Sequence, residues 1–155
     1  MKVLILGATG PTGGHVLKNA LEGGDTVTVL ARRPEALAAV EERITVLRGD
    51  ATVADDVARA AEGHDAVIAA RGRGRSLSPE GLFTGAAGAV VEAINRCGAK
   101  RLVWLSSFGV GETIKTASLP QRAMYSIILR RIYADKAASE RILRNSGLDW
   151  TIVYP

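Results

Sequence analysis

The stretch KVLILGATGPTGG, residues 2–14, limits what this chain can become more than any other segment. A continuous apolar run closed by glycine has the pattern of a strand buried on both faces. After it come glycines at 7, 10 and 13, then GHVLKNALEGG (14–24), where Val16, Leu17, Ala20 and Leu21 recur at helical spacing. Glycine permits the tight turn, lets the backbone approach a pyrophosphate and, at the third position, lets the helix pack closely on the strand. The helix N-terminus supplies N–H groups and a positive dipole end. One glycine would serve a merely tight turn. Three at this spacing, between a strand and a helix, predict a dinucleotide site.

The remaining chain repeats the alternation. TVTVLA (26–31), ITVLRGD (44–50), DAVIAA (65–70), KRLVWLSS (100–107) and DWTIVYP (149–155) read as strands. Helices are expected between them over 34–42, over 52–63 with Thr52 and Asp55 at capping-box spacing, over 79–97 and over about 121–146. Strands alternating with helices imply right-handed crossovers and a doubly wound parallel α/β sheet, a Rossmann fold, in one domain over residues 1–155. Because the chain stops at the close of a central-looking strand, a C-terminal part is expected to be missing.

The longest apolar runs are too short to span a bilayer. MKVLILGATG begins directly with a strand pattern and has no signal-peptide h-region followed by a cleavage site. The single cysteine, Cys97, offers neither an internal disulfide nor metal-ligand spacing. A cytoplasmic enzyme or binding protein is therefore expected, with no membrane and no metal. A net charge of +4 slightly favours anionic ligands without identifying nucleic acid.

The second strand ends VLARRPEAL, with Arg32 and Arg33 and no carboxylate before Glu35. An acidic residue there would suit the ribose 2′-OH of NAD; arginine favours the 2′-phosphate, so NADP(H) is expected in preference to NAD(H). RGRGR (71–75) looks like a fragment of a nucleic-acid-binding tail. It follows the fourth strand, however, at the carboxyl edge where this fold binds its ligand. It also lacks an extended basic surface and stacking aromatics, so nucleic acid is not an expected partner.

GATGPTGG, ARRPEAL, the GD after the third strand, LSP (77–79), LSSFG (105–109) and SGLDWTIVYP together resemble the atypical short-chain dehydrogenase/reductases. The likeness is to the NmrA-like NAD(P)H-binding proteins and the biliverdin reductase B, or NADPH flavin reductase, group. It implies that Gly7, Thr9, Gly10, Pro11, Thr12 and Gly13 hold the pyrophosphate and that Arg32 and Arg33 hold the 2′-phosphate. It places Asp50 and Ala51 at the adenine, and Ala70, Arg71 and Gly72 along the adenosine and pyrophosphate side.

The helical Tyr-x-x-x-Lys pair of the wider superfamily is not matched. YADK sets Tyr133 and Lys136 three apart, and Tyr125 has Leu129 four residues on. DKAASE (135–140) instead matches a lone-lysine pattern, D-K-x-x-x-E, of the atypical families. By that likeness Lys136 contacts the ribose or nicotinamide, with Glu140 its candidate partner. Ser106 and Ser107, at the end of the fifth strand, fall where such proteins place a residue near nicotinamide and substrate. Ser107 and Lys136 are the candidate catalytic residues. Two functions are compatible: an NADPH-dependent oxidoreductase passing hydride to a small flavin, quinone or carbonyl acceptor, and a non-catalytic NADP(H)-binding sensor. His15 and His64 are expected at the surface without a role, and Cys97 as a small core residue.

Overall fold

The computed structural model describes residues 1–70, 81–107, 110 and 130–154. Strand β1 (Lys2–Leu6) buries four of its five side chains, and the alternation splits them between two cores. Val3 and Ile5 pack with Leu17 and Ala20 of helix α1 (Pro11–Glu22) and with Val27 and Val29 of β2 (Thr26–Ala31). Leu4 and Leu6 turn to the opposite face. There they meet Val57 of α2 (Ala54–Ala61), Val90 and Ile94 of α3 (Leu82–Cys97), and Leu143 of α4 (Arg130–Arg144). A strand whose successive side chains both find an apolar layer belongs at the centre of a sheet covered on two sides.

The other strands are β3 (Thr45–Arg48), β4 (Ala66–Ala69), β5 (Arg101–Leu105) and β6 (Trp150–Val153). All pairings are parallel, in the order β3-β2-β1-β4-β5-β6. Connections run outward from β1 to β3, then return past β1 to β4. The reversal falls between β1 and β4, and their carboxyl ends flank the crevice where open α/β sheets bind ligands. Beyond the paired residues, Ala70 N–H donates to the Leu6 carbonyl at 2.9 Å and keeps the two strand ends together.

Two local expectations change. The segment Pro34–Arg43 winds as a 3-10 helix. Only Leu37 in it is buried, which leaves little apolar contact to favour α-helical winding. The capping box at Thr52 does not form either, since α2 is preceded by Val53 without a side-chain cap. Thr52 turns back instead, donating from both its N–H and its hydroxyl to Asp50 Oδ1, each at 2.9 Å. His64 also does more than face solvent. Its Nδ1 lies 3.0 Å from the Glu62 carbonyl, so that nitrogen carries the proton in the neutral ring. Nε2 then accepts from the buried Thr28 hydroxyl at 2.8 Å.

Candidate functional site

The glycine turn after β1 has little room for side chains. Gly7 adopts φ 89°, in the left-handed region. Gly10 N–H donates back to the Gly7 carbonyl at 3.0 Å and closes the turn. A Cβ on Gly13 would lie 2.0 Å from the Gly7 oxygen, so helix and strand meet there at backbone distance. Gly10 precedes α1 with extended backbone, no side chain caps the helix, and its first turn contains no acidic residue. The leading N–H groups of an α-helix lack intrahelical acceptors. With Thr9, Pro11 and Thr12 exposed around them, this cradle fits an anionic pyrophosphate by space, donors and dipole alike.

Neighbouring strand ends extend the edge on one side. Arg32 and Arg33 leave β2 exposed. After β3, Gly49 has no room for a side chain, because a Cβ there would press on Leu30 and Asp56 at 2.8 Å. Asp56 Oδ2 accepts from Asp50 N–H at 2.8 Å, and Asp50 in turn receives Thr52, so the Asp50–Thr52 loop is held by carboxylates from within and behind. Ala51 is buried beneath it. Asp56, which organises this loop, was not singled out by sequence; its position in the first turn of a helix gave no sign of a partner six residues back.

On the other side lie Ala70, buried at the end of β4, and the serines at the end of β5. Arg71 and Gly72, like the rest of RGRGR, lie outside the described residues, as does Tyr125. Ser106 is buried and donates its hydroxyl to Glu140 Oε1 at 2.5 Å. Lys136 Nζ donates to Ser107 Oγ at 2.5 Å and sits 4.8 Å from the centre of the Phe83 ring, within cation–π range. Burial pushes the Lys136 ammonium below the ordinary lysine pKa, while Glu140 one turn along α4 opposes that shift.

Lys136 and Glu140 therefore do not form the simple pair suggested by their spacing. Glu140 is 1% exposed and its Oε2 accepts from Tyr154 at 2.8 Å and from Arg144 at 3.2 Å. Burial, reinforced by the bond to Glu140, raises the Tyr154 pKa. Asp135 has a third task. Its carboxylate takes the N–H groups of Phe83 and Thr84 at 2.9 and 3.1 Å, together with the Thr84 hydroxyl. It thus caps α3, whose own N-cap, Gly81, has no side chain to offer.

From Asp50, just beyond β3, to Ser107, just beyond β5, the described site residues follow the sheet's carboxyl edge in strand order. Three strand spacings separate β2 from β5, about 14 Å, a span suited to an extended dinucleotide. Fold and edge define a dinucleotide-binding Rossmann domain. Residues 7–155 match the family described as NAD(P)H-binding, and the chain belongs to that family.

Among curated relatives, UPF0659 protein YMR090W of Saccharomyces cerevisiae is 29% identical, with 100% of this chain covering 69% of its length. The Photosystem II assembly factor Ycf39 of Synechocystis is 27% identical over 99% of this chain and 44% of its own. Among solved structures, the oxidoreductase YlbE from Lactococcus lactis superposes with TM-score 0.82 at 24% identity, covering 100% of this chain and 68% of that one. ChuY, an anaerobillin reductase from Escherichia coli O157:H7, gives 0.78 at 24% identity, over 100% and 72%. At these identities the solved structures establish the fold.

Proposed function

We propose that this chain is the cofactor-binding part of an NADPH-dependent reductase that passes hydride to a small acceptor such as a flavin, quinone or carbonyl compound. The observation that carries this reading is the bond from Lys136 Nζ to Ser107 Oγ at the end of β5. An ammonium only donates, so Ser107 accepts from it and its own O–H is directed elsewhere. That hydroxyl is then available to a substrate oxygen or a carboxamide, with the lysine behind it as a source of protons. Bound NADPH supplies the hydride. Arg32 and Arg33 receive its 2′-phosphate, the Gly7–Gly13 turn the pyrophosphate, and Asp50 with Ala51 borders the adenine. Holding the two reactants together supplies the remainder of the rate enhancement.

The alternative, a regulator that binds NADP(H) without turnover, draws support from the assembly-factor name of one relative. Purified protein mixed with NADPH and then with FMN or a quinone separates the two. Decay of the nicotinamide absorbance supports the reductase; tight NADPH binding without oxidation by any acceptor supports the regulator.

A further inference from the structure

We infer that Arg48 is a further specificity-determining residue: from the end of β3 it joins Arg32 and Arg33 in receiving the 2′-phosphate of NADPH. The inference deepens the cofactor reading above and rests on it for the identity of the ligand.

Arg48 is remote from Arg32 in sequence, and the parallel register brings it alongside. Ala31, the last residue of β2, pairs with Arg48, the last residue of β3. Parallel neighbours lie about 4.8 Å apart, within the reach of an arginine side chain. Gly49 N–H donates to the Ala31 carbonyl at 3.1 Å, and the Arg48 carbonyl accepts from Arg59 Nη2 at 3.1 Å. The backbone of Arg48 is thus held on both sides while its side chain is exposed. Alternation sets the face. Val46 packs in the layer of Ala31 and Leu37, and Leu47 turns to the opposite one. Arg48 therefore stands on the face of Ala31 and of the 3-10 helix that Arg33 precedes.

The charges at this corner of the sheet do not cancel. Among the described residues, no carboxylate forms an ion pair with Arg32, Arg33 or Arg48. Asp56 is taken by Arg59 at 3.1 Å and by Asp50 N–H at 2.8 Å. Guanidinium groups without counter-ions on two adjacent strand ends repel one another, and a phosphate dianion set among them relieves that repulsion. Their planar forks also match phosphate oxygens. An arginine that only kept the β3 edge from pairing with other chains would serve at any level of the strand. Arg48 stands at the carboxyl end, two residues before Asp50.

The test is isothermal titration calorimetry with 2′,5′-ADP and with 5′-ADP, for wild type, Arg48→Gln, Arg48→Lys and Arg43→Gln. Arg43 is also exposed and ends the same 3-10 helix at its far side, so its variant makes the same change of net charge away from the site. Arg48→Gln should weaken 2′,5′-ADP by about 5–20-fold and 5′-ADP by less than about twofold. Arg48→Lys keeps the charge without the fork and should fall between Arg48→Gln and wild type. Arg43→Gln should match wild type. A preference for 2′,5′-ADP that Arg48→Gln leaves intact overturns the inference. An equal loss in Arg43→Gln also overturns it, because the effect would then be one of net charge. A wild type that binds both nucleotides alike overturns the NADPH preference and the inference with it. Both probes bind without turnover, so a failure of the reductase reading leaves the result unaffected.

Discussion

Ser106 and Ser107 are adjacent in sequence yet serve two different partners on one helix: Ser106 donates to Glu140, and Ser107 accepts from Lys136. A strand end thus offers one hydroxyl to fix the backbone and another to the edge of the sheet. Ser107→Ala should fold normally and bind NADPH within about threefold of wild type. Its turnover should fall by about 10–100-fold, at the modest end for one proton-transfer contact. Equal turnover would remove Ser107 from the reaction.

The glycine turn makes a graded prediction. A Cβ at Gly13 would lie 2.0 Å from the Gly7 oxygen, whereas one at Gly10 would lie at 3.4 Å. Gly13→Ala should therefore cost about 2–4 kcal/mol and abolish NADPH binding, because backbone must move on both sides. Gly10→Ala should cost about 1 kcal/mol or less. Denaturant titration of both variants checks the order, and equal losses would mean the close approach at Gly13 is relieved by a small shift.

The proposed preference for NADPH places its test at the end of β2. Arg32→Glu should weaken NADPH binding by about 10–100-fold, as expected for a lost charge-assisted contact, and barely change NADH binding. Equal losses for the two cofactors would show that Arg32 does not receive the 2′-phosphate.

Asp135 makes a stability prediction separate from the chemistry. It caps α3 from α4, so Asp135→Ala should cost about 1–2 kcal/mol, or roughly 2–8 °C in melting temperature. Differential scanning calorimetry would show it. An unchanged melting temperature would mean that another group caps the helix.

Lys136 sets a pH dependence whose sign follows from burial. Its folded pKa lies below the ordinary lysine value of 10.5, so between the two the unfolded chain binds more protons and stability rises with pH. At neutral pH the buried ammonium is a burden. Lys136→Met should melt higher than wild type there, and the advantage should shrink as pH rises towards 10.5. Melting curves that differ by the same amount at pH 7 and pH 10 would contradict this.

The parts of this architecture legible in the sequence were those built from neighbours. KVLIL and its glycines fix β1, the turn and the start of α1 within the first 14 residues, and the alternation of strands and helices yields the parallel sheet. Contacts across the fold were hidden. Glu140 meets Ser106 from 34 residues away, and Asp135 reaches Phe83 from 52, distances at which no spacing rule operates. In DKAASE the i, i+4 rule suggested one Lys–Glu pair, but burial gave each residue its own partner on a different element. At Thr52 the capping pattern lost to a nearer acceptor, the Asp50 carboxylate. Phe83 carried no signal beyond an apolar residue in a first turn.

The most direct measurement is the decay of nicotinamide absorbance in a single turnover at saturating NADPH, with FMN or a quinone as acceptor, for wild type and Lys136→Met. The account predicts oxidation by the wild type and a rate lower by about 100-fold in the variant, with cofactor still bound. Equal rates would contradict the role given to Lys136. No oxidation by the NADPH-bound wild type would contradict the reductase itself.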